Sequence, residues 1–198
     1  ILMSDREKFL KEKISSLVPK ETELESRGEH FDFHAPVTCS VTTSNSIAVG
    51  FGDGKVRFFF EREKPRIIDA HNGVVLSIAT NGEYIFTGGD DGRFLKLSQN
   101  GDIVEIANFN SRWVDSVAAY KDSMVCSSGR NVYIWSGDQK KAKSLEHSST
   151  VGGLAFDHTG KRLAVSSYGG VTVWERGERR WTSKRLVWKG SHSQVGFS

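Results

Sequence analysis

The stretch V-G-F-G-D-G-K-V-R-F-F-F, residues 49–60, admits two readings. Glycines at 50, 52 and 54 with Lys55 directly behind them suit a loop whose backbone N–H groups cradle phosphate. The same letters suit a tight turn between two buried strands. A phosphate loop needs G-x-x-x-x-G-K-[ST] ahead of a helix, but Val56 stands in the hydroxyl position and strand-like R-F-F-F follows. A dinucleotide fingerprint needs its third glycine one residue later. Asp53-Gly54 is a strong hairpin signal, because glycine supplies the positive φ such turns require.

The stretch also recurs. V-G-F-G-D-G-K-V-R-F-F (49–59) aligns with T-G-G-D-D-G-R-F-L-K-L (87–97), S-S-G-R-N-V-Y-I-W (127–135) and S-S-Y-G-G-V-T-V-W (166–174). The copies close on Phe59, Leu97, Trp135 and Trp174, spaced by 38, 38 and 39 residues. A second shared piece precedes each copy: H-A-P-V-T-C-S-V from 34, H-N-G-V-V-L-S-I-A from 71, S-R-W-V-D-S-V-A from 111 and S-S-T-V-G-G-L-A-F from 148. A fifth, S-H-S-Q-V-G-F-S, begins at 191. A period near 38 with about four short strands per copy predicts propeller blades.

These residues resemble the WD40 repeat: H-x-x-V, a Ser/Thr-G-x-D-D-G turn, then a bulky residue closing a strand. More narrowly, the text at 112–118, 151–164 and 188–192 is similar to small single-domain bacterial members of that family. The resemblance implies an all-β propeller of about four blades, at 34–70, 71–110, 111–147 and 148–190, with 191–198 starting the next. It also implies a buried hydrogen-bonded set of His, Ser/Thr, Asp and Trp in each blade. The second blade supplies His71, Thr87 and Asp91 but has Leu97 in the Trp place. The first supplies His34 and Asp53, with Val49 and Phe59 in the other places. The third and fourth keep Trp135 and Trp174 and lose the turn Asp. Family members typically close with about seven blades, so roughly three more copies of ~40 residues are expected and the chain reads as C-terminally truncated. A closed four-bladed ring is the alternative. The segment H-F-D-F, 30–33, suits the strand that latches such a ring.

Ahead of the repeats, residues 1–30 read as a helix and an acidic linker. Over 4–18, Ser4 and Glu7 form a capping box, Phe9, Leu10, Ile14, Leu17 and Val18 share a face, and Pro19 ends the helix. Residues 20–30 are polar and acidic. The helix docks on its own domain or on a partner; its mixed charges argue against a membrane surface.

Composition bounds the function. The chain has 198 residues, net charge +3, 11% aromatic residues, 20 glycines and three prolines. That profile fits one turn-rich β domain and shows no global electrostatic demand for nucleic acid or membrane. Cys39 and Cys126 lie in apolar runs and read as buried thiols. No apolar run approaches the ~20 residues of a membrane span, and no signal peptide is visible, so a cytoplasmic protein is expected.

No catalytic constellation emerges. Asp90 and Asp91 diverge in a turn and read as carboxylates accepting backbone N–H bonds. The six histidines lack Cys–His zinc spacing, and G-G-D-D-G lacks the alternating oxygen ligands and distal Glu of a calcium loop. Neither a metal nor a cofactor is expected. Propeller channels can host chemistry, but the inner-strand starts V-T-C-S, V-L-S-I, V-D-S-V and V-G-G-L offer only Asp115 as a charge.

The expected activity is therefore a non-enzymatic scaffold for other proteins. Arg112 and Trp113, ahead of the third blade, stand on the channel-mouth face or are buried structurally. Residues 175–189, E-R-G-E-R-R-W-T-S-K-R-L-V-W-K, set Arg179, Arg180, Trp181, Lys184 and Arg185 as anchors for an acidic partner or nucleic acid. The other reading of that stretch is a solvated outer hairpin with Trp188 buried in its edge.

Overall fold

The computed structural model describes residues 22–137, 139–178 and 180–198, together with Arg6, Lys8 and Lys13, which are helical. The expected amphipathic face of the 4–18 helix lies outside the described residues. The chain divides into two units, Ile1–His34 and Ala35–Ser198.

In the first unit the expected linker contains a helix, α1 (Glu23–Arg27). Thr22 and Glu25 cap it reciprocally: the Glu25 N–H donates to Thr22 Oγ1 at 3.2 Å and the Thr22 N–H to Glu25 Oε2 at 2.6 Å. Polar composition alone suggested a linker; the local cap suffices for one turn. Residues 30–33, expected as a latching strand, are not in a strand. Phe31 and Phe33 stack with centroids 5.9 Å apart.

Among the described residues the regular structure of the second unit is all β. Sixteen strands run β1 (Val37–Thr42), β2 (Ser46–Phe51), β3 (Lys55–Phe60), β4 (Arg66–Asp69), β5 (Val75–Thr80), β6 (Ile85–Gly89), β7 (Arg93–Leu97) and β8 (Ile103–Asn108), then β9 (Ser116–Tyr120), β10 (Ser123–Ser128), β11 (Asn131–Ser136), β12 (Lys143–Glu146), β13 (Val151–Phe156), β14 (Arg162–Ser167), β15 (Gly170–Arg176) and β16 (Trp181–Val187). They form four antiparallel sheets of four consecutive strands each. The opening stretch is the β2–β3 hairpin, with Val49 opposite Arg57 and Gly50 opposite Val56.

Alternation sends successive side chains to opposite faces, so each sheet is apolar on both and stacks against its neighbours. Three clusters fill the three seams. Val56, Phe58, Val75, Leu95 and Leu97 lie between the first and second sheets. Phe86, Phe94, Val117, Cys126 and Trp135 lie between the second and third. Val125, Ile134, Leu145, Leu163 and Val165 lie between the third and fourth. Burying a side chain such as Phe58 or Leu97 completely contributes about 1.5–3 kcal/mol. Each seam joins only adjacent repeats, as in solenoids and propellers.

The innermost strands β1, β5, β9 and β13 are neighbours in that order. Main-chain approach there is close: Val117 N–H donates to Ser77 Oγ at 3.0 Å. Cys39 is a partly buried thiol and Cys126 a buried one; burial raises both above the ordinary thiol range.

Candidate interaction surface

The turns β2–β3, β6–β7, β10–β11 and β14–β15 share one end of the sheets with the segments that leave β4, β8, β12 and β16. One main-chain bond repeats at all four places. His71 N–H donates to the Gly54 carbonyl at 2.9 Å, Phe109 to Gly92 at 2.8 Å, His147 to Arg130 at 2.9 Å and Trp188 to Gly169 at 3.1 Å. Each of these residues leaves one sheet, and the first three reach into the next.

His71 is fully buried, with Nδ1 2.9 Å from Asp91 Oδ1 and Nε2 2.9 Å from Thr87 Oγ1. Since the carboxylate only accepts, Nδ1 carries the proton. Burial lowers the imidazole pKa against the pull of Asp91. Burial alone would raise Asp91, but bonds from His71 and from the Asn72 and Arg93 N–H groups hold it low. Asp90 accepts from Val74 N–H at 2.7 Å. These two carboxylates fix the loop that enters the second sheet. Leu97, in the Trp place, packs in the first seam.

Phe109 packs on Tyr133 of the third sheet, centroids 4.7 Å apart. His147 accepts from Trp174 Nε1–H of the fourth sheet at 3.0 Å, and burial lowers its pKa. Neither Phe109 nor His147 was singled out in the sequence, although both follow His71 at the 38-residue period. Trp135 packs against Phe94 at 5.5 Å. Within the first unit, His34 Nδ1 lies 3.2 Å from Asp32. Asp53 takes both Nη atoms of buried Arg57, at 3.0 and 2.7 Å, and this bond is the main cause of its lowered pKa. Lys55 pairs with Asp69.

Arg112 and Trp113 are exposed on the loop entering β9, Trp113 by 58%. That loop is pinned by the bond from Arg112 N–H to Phe109 O at 3.3 Å and from Val114 N–H to Gly89 O at 3.0 Å. In the basic stretch, Arg180 and Lys184 are exposed and Arg179 lies outside the described residues. Trp181 shares the face of Trp174 and packs on the third seam. Arg185 donates to Ser148 Oγ at 3.0 Å and to the Tyr168 carbonyl at 3.3 Å. Trp188, expected in a buried edge, is 75% exposed and stands edge-on to His192.

A cavity of about 530 Å³ opens where the inner strands converge, lined by Ser40, Ser77, Asp115, Ser116 and Gln194 among others. Burial raises the Asp115 pKa. Among the described residues no group of three or more His, Cys, Asp or Glu is placed to hold a metal, and no helix is long and apolar enough to cross a membrane.

Residues 62–94 and 139–175 match the family described as WD domain, G-beta repeat. These two segments are similar to WD40 repeats. Both matched segments start before the last strand of one sheet and run into the next, spanning the His71 and His147 seams. No curated protein matches in sequence. A chain in the structure titled "Crystal Structure of Mitotic Checkpoint Complex" is similar with a TM-score of 0.70 at 13% identity, over 81% of this chain. This chain spans 57% of that one. At that identity the likeness shows the fold alone.

Proposed function

We propose that this WD40 chain is a non-enzymatic scaffold that binds other proteins at the end of the sheets where Arg112 and Trp113 stand. The observation that carries this reading is Trp113, 58% exposed on a loop whose main chain is bonded within its own turn and to Gly89 at the end of β6. A large aromatic held out on a rigid backbone loses little entropy on contact and gains area, which is how interface anchors work. The neighbouring fold from a structure titled a complex supports protein partners.

We read the four sheets as four blades and residues 191–198 as lying where a fifth begins. A Cβ on Gly153 would lie 3.0 Å from Gln194 Cα, and Arg162 sits over the Phe197 ring at 5.2 Å. The segment thus lies beside β13 as β13 lies beside β9. Two unbridged thiols suit a reducing compartment such as the cytoplasm.

The test is affinity capture from lysate with the wild-type chain and Trp113→Ala, both checked for an unchanged melting temperature. Partners retained by wild type and lost by the variant support the reading; an unchanged set sinks it. A second reading, nucleic acid on residues 175–189, draws on exposed Arg180, Lys184 and Lys189. It requires affinity that falls steeply with salt, whereas a Trp-anchored protein contact changes little.

A further inference from the structure

The outer strands of the four sheets are not alike. β4 and β12 are four residues each and carry both signs of charge, Arg66 and Asp69 on one, Lys143 and Glu146 on the other. On β8, Glu105 is held by Arg93 at 2.7 Å. β16 is seven residues long, its only charges are Lys184 and Arg185, and Arg180 and Lys189 flank it.

Its register fixes which main-chain groups face outward. Gly177 N–H donates to Arg180 O at 3.0 Å at one end of the β15–β16 ladder, and Trp188 N–H to Gly169 O at 3.1 Å at the other. Antiparallel alternation between these bonds turns the C=O of Arg180, the N–H and C=O of Thr182, Lys184 and Leu186, and the N–H of Trp188 toward β15. Those of Trp181, Ser183, Arg185 and Val187 therefore point away from the sheet, and β16 is the last strand in it. Beside this open ladder Leu186 is 50%, Val187 83% and Trp188 75% exposed. A long edge ladder with apolar side chains beside it is a template for another strand, and cations on it reject strands of like charge.

We propose that β16 is a docking strand for an extended segment of a protein partner, acidic in one half and apolar in the other. The segment adds to the sheet main chain to main chain. Its carboxylates meet Arg180 and Lys184, and its apolar side chains meet Leu186 and Trp188, which share one face of the strand. The cations choose the occupant: a second copy of β16 would set Lys184 and Arg185 against like charges, while an acidic segment is attracted. This rests on the reading of the chain as a protein scaffold and names the partner's chemistry.

The experiment measures fluorescence anisotropy of a labelled peptide with glutamates in one half and valines and leucines in the other, made in both orders, titrated with the full chain. Saturable binding of one order is expected. It should weaken by at least about tenfold for Lys184→Glu, a substitution at an exposed site. It should vanish for the same peptide N-methylated at alternate amides, which cannot extend a ladder. Absence of binding, equal binding of the N-methylated peptide, or tighter binding of a single-stranded oligonucleotide overturns the proposal. Trp113→Ala should bind the peptide as wild type does. If the peptide fails while Trp113-dependent capture persists, strand addition falls and the scaffold reading stands. If the peptide binds while Trp113→Ala leaves capture unchanged, the loop reading falls and the docking strand stands.

Discussion

Trp174 Nε1–H donates to His147 Nε2 at 3.0 Å, joining the fourth sheet to the segment that leaves the third. An imidazole can accept there only while it is neutral, because the protonated ring has no lone pair left. Burial already favours that form, and the Arg185 charge acts in the same direction. The seam between the third and fourth sheets is therefore coupled to pH.

The sign follows from linkage. The folded-state pKa of His147 lies below its ordinary value of 6.5, so the unfolded chain binds the proton first as pH falls. Stability is level well above that value and declines as pH drops through it toward the folded pKa. Trp174→Phe removes the donor and should cost about 1–3 kcal/mol at neutral pH by leaving His147 short of a partner. Urea melts of both proteins at several pH values check this. The gap between them should narrow in acid, where protonation breaks the bond in wild type as well; a constant gap is the contrary result.

The second seam prediction concerns Thr87, whose hydroxyl meets His71 Nε2 at 2.9 Å inside the protein. Thr87→Val keeps the volume and removes the partner of a fully buried nitrogen, at about 1–3 kcal/mol. Thr87→Ser keeps the hydroxyl and should recover most of the loss. Denaturant midpoints of the three proteins measure it. Equal loss in Val and Ser variants would mean that methyl packing, not the hydrogen bond, holds the seam.

What the sequence revealed depended on whether a position kept its chemistry from repeat to repeat. Phe59, Leu97, Trp135 and Trp174 are all large and apolar at one spacing, so period and fold were legible. The position of His71, Phe109, His147 and Trp188 keeps its place but not its chemistry. One imidazole binds a Thr and an Asp, a phenyl stacks on Tyr133, and another imidazole accepts from a Trp. Matching by letter misses such a site. Trp188 is hidden further because β16 is longer than β12, which breaks the 38-residue count. His34 fits the motif by letter, whereas the 38-residue count back from His71 falls on Phe33, and the His34 ring lies beside Asp32. The Asp53–Arg57 pair was not legible at all. A charged strand residue reads as solvent-facing, whereas Arg57 lies buried over the Phe51 ring, 4.2 Å from its centroid.

The glycine of the opening turn supplies a sharper test of its role. Gly54 has φ +78, and its carbonyl accepts from Ala70 and His71 N–H groups at 3.2 and 2.9 Å. A Cβ there would overlap the main-chain carbonyls of His71 and Gly73, which belong to the loop entering the second sheet. Those atoms are backbone and cannot swing aside. Gly137 also has positive φ, +57, but a Cβ on it meets nothing within 4 Å. Gly137→Ala should therefore cost only the left-handed penalty of about 1–2 kcal/mol. Gly54→Ala pays that penalty and displaces the loop as well, so its cost should exceed about 4 kcal/mol, among the largest single-substitution effects. Parallel thermal or urea melts of the two variants decide the matter. Comparable losses would show that Gly54 serves only its own turn; a much larger loss at Gly54 shows that the glycine exists to let one sheet's turn receive the next sheet's entry.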